Sequence, residues 1–71
     1  MLVDKSELES INNTRYHGFY KDVALRVNKK YGSSYSPTGI RQHLTKKEGL
    51  NGHIRIPDII MEQARSLLKE M

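Results

Sequence analysis

The strongest constraint on what this chain can fold into is one run of apolar spacing ahead of Gly32. Tyr16, Phe19, Tyr20, Val23, Ala24, Val27 and Tyr31 recur at steps of three and four residues. At 100° per residue they share one broad face, which predicts an amphipathic helix rather than a strand of period two. Lys29 and Lys30 stand where a helix C-terminus favours cations, and Gly32 suits a left-handed cap. Leu25 lies off this face and is expected to meet another helix or a partner chain.

That helix has to bury its face within a small molecule. The chain has 71 residues and no cysteine, so neither a disulfide nor a thiolate metal site can staple it. At this size only about 60% of the unfolded surface can be buried, which leaves material for one domain, residues 1–71, with a marginal core. No apolar run approaches the ~18 residues of a membrane helix. The start, MLVDKSELES, lacks the basic and long apolar regions of a secretory signal, so a cytoplasmic location is expected.

Three further helices are predicted. Asp4 or Ser6 can open the first, each with a glutamate three residues on (Glu7, Glu9) at capping-box spacing. Leu8 and Ile11 form its inner face, and Asn12-Asn13-Thr14 is a weak stop. The last helix begins near Pro57 with Asp58 in its first turn, and carries Ile60, Ala64, Leu67, Leu68 and Met71 at helical spacing beside Ile56 and Ile59. That stripe serves the core, and its distal part, Leu67, Leu68 and Met71, is also the candidate seam of a homodimer. Between residues 48 and 56, Asn51-Gly52 is a hairpin signal and Ile54 and Ile56 alternate with polar neighbours. A hairpin or wing there would have strands of only two or three residues, so an irregular loop is the preferred expectation and the hairpin the alternative.

The remaining helix, within Tyr35 to Lys47, carries the functional reading. Ser36 is a good N-cap and Pro37 fits the first helical position. Ile40 and Leu44 then point inward, while Thr38, Arg41, Gln42 and Thr45 point outward and Lys46 and Lys47 mark the cationic end. Arg pairs bidentately with guanine, Gln with adenine, and Thr with a hydrogen-bonding edge or a thymine methyl, so the outward face suits the major groove. An ordinary solvated helix face has the same general pattern.

Charge placement favours the first of these. The formal net charge is +4, with a pI near 9.6. Residues 15–55 carry Arg15, Lys21, Arg26, Lys29, Lys30, Arg41, Lys46, Lys47 and Arg55 against only Asp22 and Glu48, a net +7, whereas residues 1–14 and 56–71 are −2 and −1. A basic centre flanked by mildly acidic ends is the electrostatic footprint of phosphate binding.

From Phe19 to Leu44 the chain resembles a helix-turn-helix: a helix containing Val23-Ala24, the turn Gly32-Ser33-Ser34, Tyr35 as the plug of the turn, then a Ser-capped helix with inward Ile40. With Ala64, Leu67 and Leu68 on a closing helix, it is similar to small DNA-binding regulators of the phage-repressor type. It departs from a compact motif in its long first helix. The resemblance implies an all-α, compact domain of three to four helices that binds double-stranded DNA sequence-specifically in transcriptional regulation. It implies base reading by Thr38, Arg41, Gln42 and Thr45, and phosphate contact by Lys29, Lys30, Ser36, Lys46, Lys47 and Arg55.

Other chemistries find no support. His17, His43 and His53 match no familiar metal-ligand spacing, and neither a phosphate-binding glycine loop, a nucleophile elbow nor paired carboxylates occur, so no cofactor, no metal and no enzymatic activity are expected. The aromatic residues sit at core spacing rather than as base-stacking platforms. Two rivals remain: a helical interaction module whose basic face binds an acidic protein, and a winged helix with Asn51-Gly52 at the wing tip.

Overall fold

The computed structural model describes residues 1–46 and 52–70. In chain order the elements are β1 (Leu2–Asp4), α1 (Lys5–Thr14), α2 (Phe19–Tyr31), α3 (Pro37–Leu44), β2 (His53–Arg55) and α4 (Asp58–Lys69). The fold is mostly helical, but a two-stranded antiparallel sheet corrects the all-α expectation. Leu2 faces Arg55, Val3 faces Ile54 and Asp4 faces His53. Hydrogen bonds from Lys5 N–H to the Gly52 carbonyl and from Ile56 N–H to the Met1 carbonyl, both 2.9 Å, continue the pairing at either end.

The sheet also corrects the expected irregular loop where β2 forms, at residues 53–55. Ile54 and Ile56 do alternate with polar neighbours, but the strand they mark pairs with the distant start of the chain. Only the middle residue of each strand, Val3 and Ile54, is buried. Strands of three residues carry too little alternation to decide between strand and loop, and the partner lies far away in sequence. Leu50 and Asn51, on which the hairpin and wing depend, lie outside the described residues. Gly52 adopts φ +78°, a left-handed conformation suited to glycine.

α1 is capped by Asp4, whose carboxylate accepts the Ser6 N–H at 3.1 Å. This and the Ser6 hydroxyl hold the Asp4 carboxyl below its usual pKa. Glu7 does not complete the capping box. It forms a bidentate pair with Arg65 of α4, both contacts 2.8 Å, tying the first helix to the last. The helix ends at Thr14, within the expected stop Asn12-Asn13-Thr14, with Arg15 as its C-cap.

α2 begins at Phe19 because Gly18 takes φ +86°, and it ends at Gly32, φ +68°, as its cap. Phe19, Val23, Ala24 and Val27 are buried, and Tyr16 and Tyr20 pack against them. Tyr31 departs from the expected inner face. It is 42% exposed, and its hydroxyl donates to Glu62 of α4, which supplies the partner that a phenol needs. Leu25 is 58% exposed. α4 buries Ile60, Met61, Gln63, Ala64 and Leu67. The apolar ones among these, with Val3, Leu8, Ile11, Ile40, Leu44, Ile54, Ile56 and the buried face of α2, form one core, to which α3 contributes Ile40 and Leu44. No helix of the described residues is long and apolar enough to cross a membrane.

Candidate nucleic-acid interface

α3 forms as its sequence suggests. Ser36 Oγ accepts the Gly39 N–H at 3.0 Å, Pro37 occupies the first turn, and Ile40 and Leu44 are fully buried. The helix is shorter than expected, ending at Leu44 with Thr45 as its C-cap. Thr38, Arg41 and Gln42 lie on it and are exposed; Thr45 and Lys46 follow it and are exposed as well. The Thr45 hydroxyl donates to the Arg41 carbonyl at 2.7 Å. Its proton is therefore committed to the helix end, leaving its methyl group and oxygen lone pairs for any ligand.

The ion pairs divide the basic residues in two. Arg26 pairs with Glu70, Lys30 with Glu62 and Arg65 with Glu7. Glu62 of α4 and Glu70 at its C-cap thus neutralise cations of α2, while Arg65 of α4 is neutralised by Glu7 of α1. Lys30, expected to contact phosphate, is turned toward α4 and hydrogen-bonded to Glu62. The pairs are solvent-exposed and add little to stability, so their main effect is on the distribution of charge. α3 contains no acidic residue, and among the described residues Arg41, Lys46, Lys29 and Arg55 form no ion pair. Arg55 projects from β2 opposite Leu2. Lys47 lies outside the described residues.

A groove of about 540 Å³ adjoins the C-terminal end of α3, lined by Lys5, Leu8, Glu9, Asn12, Asn13, Leu44, Thr45 and Lys46. It brings Lys5, at the start of α1, to the cationic end of α3, a neighbour that sequence reasoning missed. Lys5 precedes the net-basic segment, and its N–H donates to the Gly52 carbonyl.

His43 borders the core, as its helical position implies. Its ring meets Tyr35 edge-on, with centroids 6.0 Å apart. Its Nδ1 is buried and has no hydrogen-bond partner among the described residues. Burial, and secondarily the Lys46 ammonium, hold its pKa below the ordinary histidine value. No group of three or more metal-ligating side chains occurs among the described residues. The aromatic residues behave as core and rim: Phe19 is buried with Tyr16 and Tyr20 edge-on to it, and Arg15 covers the Tyr20 ring at 4.9 Å.

Two asparagines missed in the sequence hold α3. Asn28 of α2 accepts the Tyr35 N–H and donates to the Tyr35 carbonyl, both at 2.8 Å. Asn12 of α1 donates to the Leu44 carbonyl at 2.9 Å. No protein-family signature, curated protein or solved structure matches the chain significantly.

Proposed function

We propose that this chain binds double-stranded DNA sequence-specifically, with α3 in the major groove, as a small transcriptional regulator. The observation that carries the reading is the contrast between the two sides of the molecule. Cations facing α4 are neutralised by its carboxylates, whereas α3 presents Thr38, Arg41 and Gln42 to solvent with no acidic residue among them. In this reading Arg41 and Gln42 contact base edges, Thr38 and the Thr45 methyl group flank them, and Lys46 with Lys5 holds a phosphate at the groove. Ser36 can still donate its hydroxyl proton to a phosphate while its oxygen caps α3. Lys29 and Arg55 are further phosphate contacts, and Lys30 drops out because Glu62 holds it.

Pairing of two copies would have to rest on Leu68 rather than on the full expected seam. Leu67 is only 7% exposed, committed to its own core, and Met71 lies outside the described residues. A second reading, an acidic protein partner, draws on exposed Leu25 between Lys21 and Lys29 on α2.

Selection of bound sequences from a random duplex pool separates these readings. Enrichment of one motif, relaxed at one position by Arg41→Ala at a cost of ~1–3 kcal/mol, is the expected result. Failure to bind any duplex at low salt would remove the DNA reading and favour the protein partner.

A further inference from the structure

An eight-residue helix does not persist in water by itself, and α3 has only two buried anchors, Ile40 and Leu44. Anchors one helical turn apart leave a short rod free to roll and tilt about their contact line. A small rotation moves a long side chain such as Arg41 by more than a hydrogen bond tolerates.

The asparagine amides remove that freedom at both ends. Asn28 treats Tyr35 as a neighbouring strand would, accepting from its N–H and donating to its carbonyl, while its Oδ1 also accepts the Ser33 hydroxyl at 3.0 Å. This fixes the residue just ahead of the Ser36 cap. At the other end, Asn12 Nδ2 donates to the Leu8 and Leu44 carbonyls, both at 2.9 Å, and its Oδ1 accepts the Tyr20 hydroxyl at 2.6 Å. Both amide protons and the amide oxygen of Asn12 are thus engaged, so its side chain cannot turn without losing a bond. The three helices meet at this one group.

We propose that Asn28 and Asn12 are positioning residues, fixing α3 at its two ends so that discrimination between DNA sequences depends on their amides. This rests on the reading of α3 as the base-contacting helix. Neither amide reaches the outward face; each acts through the backbone of Tyr35 or Leu44, which bracket Thr38, Arg41 and Gln42. A merely structural asparagine would lower the melting temperature and leave the preference for one sequence over another intact.

The test compares the wild-type chain with Asn28→Ala, using the duplex selected by the wild type and a random duplex in a salt series. Circular dichroism sets a temperature at which the variant is folded. Asn28→Ala should lose about tenfold or more of the specific-to-random affinity ratio, with its salt slope, which counts phosphates, unchanged. An unchanged ratio in the folded variant overturns the proposal. If Asn28→Ala does not fold, Tyr20→Phe decides. It keeps the ring packing and frees only the Asn12 oxygen, and should cost roughly two- to fivefold in the same ratio. No change there overturns the proposal. A wild-type chain that binds all duplexes alike would instead overturn the reading of α3, and would be seen before any variant is made.

Discussion

His43 shows how one side chain can couple α3 to pH. Its Nδ1 is buried and unpartnered, so protonation would place an N–H where the described residues offer no acceptor, and burial holds its pKa below the ordinary value. A histidine with a depressed folded pKa takes up its proton more readily when unfolded. Stability is therefore complete above about pH 6.5 and is lost as pH falls from there toward the lower folded value. Melting temperatures between pH 7.5 and 5 should decline in the wild type and decline less in His43→Gln. Parallel curves would show that His43 contributes nothing to the slope. At the same scale, Lys46→Ala should weaken binding to all duplexes alike and flatten the salt dependence by about one phosphate, and Lys5→Ala should do the same. A salt slope unchanged in both variants would remove the groove from the interface.

At the scale of elements, the chain divides into parts legible from periodicity and parts that depend on distant partners. α2 and α4 were readable because their apolar positions repeat over three turns or more. α3 was readable from Ser36-Pro37 and the pair Ile40 and Leu44, although its end came three residues early, at Leu44. The alternation of Ile54 and Ile56 offered a short strand only as the alternative to a loop, and β1 was not readable at all, because Val3 acquires meaning only when paired with Ile54. Truncating one inward residue tests the pairing. Ile54→Ala should cost ~2–5 kcal/mol, enough to unfold much of the population of so small a domain. In the folded wild type, contacts between Val3 and Ile54 in nuclear Overhauser spectra are expected; their absence would contradict the sheet. The site divides likewise. Its outward residues follow from helical geometry, whereas Lys5, Asn12 and Asn28 matter through hydrogen bonds that no local spacing announces. That Lys30 pairs with Glu62 is likewise not visible in the sequence, which does not show that Glu62 lies opposite it.

For the whole molecule, charge is the organising feature. The acidic C-terminal end of the chain returns to the basic centre along α4, and by pairing with Arg26 and Lys30 it leaves the uncompensated charge to other surfaces, α3 among them. Mapping amide chemical shifts during titration with a duplex tests the central claim most directly. The account predicts that Thr38, Arg41, Gln42 and Thr45 shift most, that Lys5 and Lys46 shift with them, and that 0.5 M salt, at which screening extends only a few ångströms, reverses much of the change. Shifts centred on Leu25 or along α4, with α3 unmoved, would contradict it.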